Sequence, residues 1–132
     1  MEQSKIEEAA QKKQSGLYNC AQAIGCTYAQ EAGVTPQEMM DMAQAFGVGM
    51  GTLEGTCGAL VGAGLVLGLK NKNRTRTVVQ MREIMNAFLR RNGSVTCKEL
   101  KGVGAGCPLR ACDDCVRDAA EFLEEQLNDT DA

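Results

Sequence analysis

The chain has 132 residues, a net charge of −3 and a pI near 5.0, which is the size of one domain. This acidic balance, with two Tyr, three Phe and no Trp, excludes the basic face and aromatic platforms of a nucleic-acid-binding protein. The absence of histidine removes the commonest general base and zinc ligand, and it excludes the CxxCH attachment of a c-type haem.

The first two helices are predicted by their N-caps. Ser4 and Glu7 form a capping-box pattern for a helix within about residues 1–16. Asn19 precedes a second helix, predicted over residues 20–31. The opening MEQSKIEEAAQKK is charged and has no apolar segment. We therefore expect no secretory signal, no membrane insertion and a cytoplasmic protein.

The middle of the chain combines a strong helix start with a glycine-rich stretch. Thr35, Pro36 and Glu38 are a cap, a first-position proline and a third-position glutamate. Residues 47–69, GVGMGTLEGTCGALVGAGLVLGL, begin as a glycine loop and continue from Cys57 as a helix that is apolar on every side. This helix is too short to span a bilayer. We predict that it is buried, and that its glycines let neighbouring backbones come close.

The C-terminal half continues the helical pattern. Residues 70–76, KNKNRTR, are predicted to form a solvated basic connector before an amphipathic helix over 77–91. Thr96 and Glu99 form a capping-box pattern for a short helix. A last amphipathic helix ends in an acidic tail at residues 128–132.

These patterns together define the expected fold class. No stretch predicts a strand, and no internal repeat occurs at a fixed period. We expect one all-α domain over residues 1–132, a bundle of five or six helices around the buried glycine-rich central helix. That helix and the seven methionines also suggest a homodimer.

Four of the seven cysteines directly follow a good N-cap residue: Cys20, Cys57, Cys97 and Cys115. Backbone N–H groups at a helix N-terminus favour the thiolate, which is the form that attacks disulfides and binds soft metals. If the four helix starts converge, their sulfurs form either a redox dithiol site or a tetrathiolate site for an iron–sulfur cluster or zinc. The alternative is that these cysteines only pack in the core as small apolar residues.

The other three cysteines are interpreted separately. Cys26 lies six positions after Cys20, on a different face of the helix, and is expected in the core. Cys107, Cys112 and Cys115 have a C-x4-C-x2-C spacing found in plant-type ferredoxins, but no fourth cysteine follows. Cys112 and Cys115 also form a CxxC motif, whose two aspartates would raise the thiol pKa values. We therefore regard Cys107 and Cys112 as a weaker, local thiol or metal site.

Five short motifs occur together along residues 16–127: Gly16-x-Tyr18-Asn19-Cys20-Ala21-Gln22-Ala23, Phe46-Gly47 with Gly49-Met50-Gly51, Gly55-x-Cys57-Gly58-Ala59-x-x-Gly62-Ala63, Cys97-x-Glu99-Leu100, and Cys115-x-x-x-Asp118-Ala119-Ala120. This set resembles a bacterial and archaeal family of redox proteins named for four cysteines around a CGAxxG motif. The resemblance implies a small helical protein with a redox or metal-linked role. It implies one site made by Cys20, Cys57, Cys97 and Cys115, with Gly55, Gly58 and Gly62 as candidate cofactor-binding positions.

The leading hypothesis is a small redox protein whose four cysteines cycle between dithiol and disulfide, or hold a metal cluster that passes electrons to a partner protein. Its cofactor would be an iron–sulfur cluster or zinc, if it has one. The alternative is a non-catalytic helical binding module, or a structural metal-binding module, with packed cysteines. Neither the substrate nor the partner is specified by these residues.

Overall fold

The computed structural model describes residues 3–104 and 108–129. Its helices are α1 (Ile6–Gln14), α2 (Cys20–Thr27), α3 (Ala29–Ala32), α4 (Pro36–Met42), α5 (Gly58–Asn71), α6 (Arg74–Asn92), α7 (Cys97–Lys101) and α8 (Cys112–Asn128), with a 3-10 turn at Gln44–Phe46. No strand is present in the two described ranges, where the β pairing is an isolated bridge. The prediction of an all-α single domain is confirmed, with eight helices in place of five or six.

Two of the predicted N-caps form complete capping boxes. The Asn19 side chain accepts from the N–H of Gln22 at 2.7 Å, and the Gln22 side chain accepts from the N–H of Asn19 at 2.9 Å. Thr35 and Glu38 make the same reciprocal pair, at 3.1 and 3.0 Å, ahead of Pro36. Both motifs lie within four residues of sequence, so local chemistry is enough to set these helix starts.

The first helix begins differently from the prediction. α1 starts at Ile6, with Lys5 at its N-cap position and no capping side-chain hydrogen bond. Glu7, the expected capping-box partner of Ser4, accepts hydrogen bonds of 2.7–3.2 Å from Arg117 of α8. The carboxylate of Glu7 therefore forms an ion pair with Arg117 instead of the capping box expected with Ser4.

Two further predicted boundaries were wrong. The second helix is divided at Tyr28, which is fully buried and donates its hydroxyl hydrogen bond to the buried carboxylate of Glu124. The basic segment 70–76 is not a loop, because the end of α5 and the start of α6 cover most of it. Lys72, in the left-handed conformation with φ of 50°, forms the tight turn between the two helices.

The glycines of α5 have two different environments. A Cβ atom on Gly58 would lie 2.8 Å from the carbonyl oxygen of Phe46, and one on Gly62 would lie 2.8 Å from that of Ala21 in α2. These two glycines allow α2 to pack directly on α5. A Cβ atom on Gly68 would meet no atom within 4 Å.

The helix α5 is buried on one face rather than on all sides. It packs against α2, α3, α6 and α8, and its buried residues are Gly58, Ala59, Leu60, Gly62, Ala63, Val66 and Leu67. The opposite face is half-buried and borders an open apolar groove lined also by Phe46 and Met81. Within the described ranges, no helix has both the length and the apolar character that a membrane span requires.

Candidate functional site

Five cysteines line one small cavity of about 20 Å³, roughly the room that one water molecule needs. They are Cys20, Cys57, Cys97, Cys112 and Cys115, and all five are free thiols. The structure thus brings together the four cysteines singled out from the sequence and adds Cys112. Cys107 lies outside the described residues.

The packing of α2 on α5 places Cys20 beside Cys57. Cys20 is the first residue of α2, behind the Asn19 cap, and Cys57 immediately precedes α5. Gly58 lies between them, and a Cβ atom there would be 3.2 Å from the Cβ of Cys20. The missing side chain of Gly58 therefore allows the two helix starts to meet.

A short backbone pairing holds Cys57 next to Cys97. The N–H of Cys57 donates to the carbonyl of Val95 at 2.7 Å, and the N–H of Cys97 donates to the carbonyl of Gly55 at 3.0 Å. These bonds flank the isolated antiparallel bridge between Thr56 and Thr96. A pairing between segments so distant in sequence fixes the relative position of the starts of α5 and α7.

The expected caps of α5 and α7 are corrected by the structure. Cys57 is itself the N-cap residue of α5, not its first helical residue. Thr96 precedes α7 without a capping side-chain bond, and the carboxylate of Glu99 accepts from the hydroxyl of Ser94 at 2.9 Å. The proposed capping box of Thr96 and Glu99 does not form, because Ser94 takes the carboxylate.

The last helix also starts earlier than expected. α8 begins at Cys112 behind Ala111, so Cys115 is its fourth residue. Asp114, the predicted cap, lies inside the helix and pairs with Arg117 at 2.8 Å. The cysteine at the N-terminus of α8 is therefore Cys112, and not Cys115 as predicted. Three residues apart in a helix, the two cysteines share one face, so Cys112 belongs to the common cavity and not to a separate local site.

Cys57 and Cys115 form a buried pair, with relative exposures of 5% and 2%. The thiol of Cys115 donates to the carbonyl of Arg110 at 3.9 Å, and the interaction of its side chain with Cys57 lowers the pKa of Cys57. Burial opposes this shift, and the backbone N–H groups of Ala59 and Leu60 at the start of α5 reinforce it. The pKa of Cys115 is raised, first by its interaction with Cys57 and then by burial.

Cys20 and Cys112 form the second pair. The interaction with the side chain of Cys20 lowers the pKa of Cys112 to about 6, against the opposing effect of burial. The positive charges of Lys101 and Lys13 contribute, whereas Asp113 acts in the opposite direction. The effect expected from the aspartates of the CxxC motif is therefore present but outweighed. The pKa of Cys20 is raised by its interaction with Cys112 and by burial.

The two remaining described cysteines have thiols of raised pKa. Burial raises the pKa of Cys97, and Lys101 partly offsets it. Cys26 does not line the cavity; it is half-buried, and its thiol donates to the carbonyl of Pro36 at 3.5 Å beside the sulfur of Met40 at 3.9 Å. Cys26 therefore lies apart from the other five, at the edge of the core, where burial raises its pKa.

A buried carboxylate anchors the segment that leads into α8. Asp118, 3% exposed, accepts hydrogen bonds from Arg110 at 3.0 and 3.2 Å, from Arg91 at 3.0 Å and from Asn92 at 3.1 Å. Arg110 also lines the cavity, and Asp118 raises its pKa. Arg110 was not predicted from the sequence as a residue of the site, and neither was its pairing with Asp118. Its position two residues before Cys112 is the sequence feature that could have indicated it.

The three glycines proposed as cofactor-binding positions have separate surroundings. Gly58 lines the cavity, Gly62 packs against α2, and the carbonyl of Gly55 accepts from Cys97. Among residues 3–104 and 108–129, no group of three or more Cys, His, Asp or Glu side chains is placed to hold one metal ion. The cofactor and metal assignments stay predictions.

The site is a cysteine cavity in an all-α domain, and the comparison with known families agrees with it. Residues 18–126 match the family described as "Putative redox-active protein (C_GCAxxG_C_C)". The chain belongs to this family, which confirms the resemblance inferred from the motifs. No curated protein and no solved structure matches the chain.

Proposed function

We propose that this protein is a thiol–disulfide redox protein that uses two cysteine pairs, Cys20 with Cys112 and Cys57 with Cys115. The observation that carries the proposal is that five free cysteines line one small cavity, where each of these two pairs combines a thiol of raised pKa with a sulfur of lowered pKa. A thiolate beside a second thiol is the arrangement needed for attack on a disulfide and its subsequent resolution.

The proposed thiol–disulfide exchange can be followed at the pair of Cys20 and Cys112. The thiolate of Cys112 attacks one sulfur of a substrate disulfide, forms a mixed disulfide and releases the other sulfur as a thiolate. Cys20 then loses its proton to solvent and attacks the sulfur of Cys112, which releases the second substrate thiolate. The pair has lost two electrons and the substrate disulfide has gained them.

The second candidate function is a metal centre at Cys20, Cys57, Cys97 and Cys115, in which zinc or an iron–sulfur cluster would be held by thiolates. It is favoured by the position of Cys97, which lines the cavity but takes no part in either pair. The third hypothesis is a helical module whose cysteines only pack in the core. The burial of Cys57 and Cys115 is equally compatible with this hypothesis.

One experiment separates the three functions. The protein is purified without oxygen, analysed for iron, zinc and acid-labile sulfide, then oxidised with diamide and digested for disulfide mapping by mass spectrometry. We expect a metal-free protein that forms the Cys20–Cys112 and Cys57–Cys115 disulfides. Stoichiometric metal lost on substitution of Cys97 would favour the metal centre, and a failure to form any intramolecular disulfide would favour the packing module.

Matched variants give the mapping its control. Cys112→Ser should remove only the Cys20–Cys112 disulfide, and Cys115→Ser only the other one. Cys26→Ser should change neither, because Cys26 lies outside the cavity. Disulfides that reshuffle freely among all the cysteines in every variant would contradict the assignment of two defined pairs.

A further inference from the structure

Two lysines line the cysteine cavity without an acidic partner. Lys13 of α1 and Lys101 at the end of α7 are lining residues, and neither forms a salt bridge within residues 3–104 and 108–129. The lysines beside them in sequence behave differently, since Lys12 and Lys98 pair with glutamates at 3.0 and 3.5 Å. Two lysines without a salt bridge in these ranges therefore line the same cavity as the five cysteines.

The third cation at the cavity is already neutralised. Arg110 is held by the carboxylate of Asp118 at 3.0 and 3.2 Å. Its charge is therefore engaged within the fold, whereas Lys13 and Lys101 form no salt bridge in residues 3–104 and 108–129 that would compete with an anion from outside. In a chain with a net charge of −3, this local excess of positive charge is opposite in sign to the protein as a whole.

The shape of the cavity limits what can reach the sulfurs. Its volume of about 20 Å³ has no room for more than a group of about the size of water. Cys112 is half-buried and is the more accessible member of its pair, since Cys20 is only 8% exposed. A substrate sulfur must therefore approach Cys112 from the rim, which leaves the rest of the substrate outside, near the two lysines.

We propose that Lys13 and Lys101 form a binding subsite for the anionic end of a small disulfide, whose sulfur is thereby placed against Cys112. This inference rests on the proposed function and names its substrate class as a slim, low-molecular-weight disulfide that carries carboxylate groups. Cys112 attacks the nearer sulfur and one anionic thiolate leaves. Cys20, after losing its proton to solvent, displaces the second thiolate, so that two electrons pass from the cysteine pair to the substrate.

The test compares three aliphatic disulfides of similar size and different charge: dithiodiglycolate, which is anionic, bis(2-hydroxyethyl) disulfide, which is neutral, and cystamine, which is cationic. The rate of Cys20–Cys112 disulfide formation is followed by mass spectrometry at pH 8 and low salt. In the double variant Lys13→Gln and Lys101→Gln, we expect the rate with dithiodiglycolate, relative to the neutral reagent, to fall about tenfold. The relative rate with cystamine should rise.

Dividing by the rate of the neutral reagent removes any change in the reactivity of Cys112 itself. The matched control is the double variant Lys12→Gln and Lys98→Gln, which loses the same charge at positions that do not line the cavity. Its relative rates should change less than about twofold, since Lys12 and Lys98 are already paired with Glu8 and Glu54 at the surface. Added salt should slow the wild-type reaction with dithiodiglycolate and leave the neutral reagent unaffected.

The outcomes distinguish this subsite from the function on which it rests. Equal relative rates in the two double variants, with the Cys20–Cys112 disulfide still formed, would overturn the subsite and leave the redox function standing. If none of the three reagents produces that disulfide in the wild-type protein, the redox function fails and the subsite fails with it. Far-UV circular dichroism of each variant verifies that the helical fold is retained.

Discussion

The two cysteine pairs each combine a thiol of raised pKa with a sulfur of lowered pKa, but they lie in two different environments. The inner pair, Cys57 and Cys115, is almost fully buried, and backbone N–H groups at the start of α5 assist its thiolate. The outer pair, Cys20 and Cys112, has one half-buried member, and the side-chain charges of lysines assist its thiolate. Backbone N–H groups therefore help to lower the pKa of the buried Cys57, whereas lysine charges help to lower the pKa of the half-buried Cys112.

The two pairs are also electrostatically linked through α8, which supplies one cysteine to each. A negative charge on Cys112 raises the pKa of Cys57. Oxidation of the outer pair removes that charge, so on the proposed function it would favour the thiolate of the inner pair. The order of reaction is then expected to be outer pair first and inner pair second.

The largest expected effect comes from separating the helices that carry the two pairs. A Cβ atom on Gly62 would lie 2.8 Å from the carbonyl oxygen of Ala21, so Gly62→Ala must push α2 away from α5. We expect a loss of about 1–3 kcal/mol in the free energy of unfolding, measured in urea. The matched variant Gly68→Ala meets no atom within 4 Å and should gain up to about 1 kcal/mol. Equal losses in the two variants would contradict the close packing of α2 on α5.

The next effect concerns the reactivity of the outer pair. At pH 6, Cys112 should be alkylated by iodoacetamide about 20-fold faster than Cys26, which is also half-buried. About half of Cys112 is thiolate at that pH, because its pKa is about 6, whereas the pKa of Cys26 is raised above its ordinary value. The lower intrinsic nucleophilicity of a weakly basic thiolate offsets part of that difference. Peptide mass spectrometry after timed quenching measures both rates. Labelling of the buried Cys57 before Cys112 would contradict the expectation that the outer pair reacts first.

A smaller effect tests the interaction within the outer pair. Cys20→Ala removes the thiol that contributes most to the low pKa of Cys112, so the midpoint of its alkylation rate against pH should move upward from about 6. Cys20→Ser retains a hydroxyl donor and should move the midpoint less. A midpoint that stays at about 6 in both variants would show that the lysines, and not Cys20, set the pKa of Cys112.

The smallest effect is on the pH dependence of stability. Cys112 has a folded-state pKa of about 6 and a reference value of 9.0, so between these values the unfolded chain binds a proton that the folded chain does not. Its contribution to stability is fully present above pH 9 and is lost as the pH falls toward 6. The rise in the urea midpoint from pH 6 to pH 8 should therefore be smaller in Cys112→Ser than in the wild type. A rise of the same size in both proteins would mean that Cys112 titrates alike in the folded and unfolded states.

Most of the fold could be predicted from the sequence, because its signals are local. Apolar periodicity identified the long helices, and the caps at Asn19 and Thr35 formed as expected, since each motif spans only four residues. The cap expected at Ser4 failed because Glu7 pairs with Arg117, a residue more than a hundred positions away. Local signals fail where a distant side chain competes for the same group.

The sequence by itself determined the helical class and the family, and it predicted four of the five cysteines that line the cavity. Only the tertiary structure decided how these cysteines combine, because sulfur contacts depend on helix packing and not on spacing along the chain. Contacts between residues far apart in the sequence produce three features of the site. They are the close approach of α2 and α5 at Gly58, the bridge between Thr56 and Thr96, and the start of α8 at Cys112. They pair Cys20 with Cys112 and bring Lys13 and Lys101 to the same cavity.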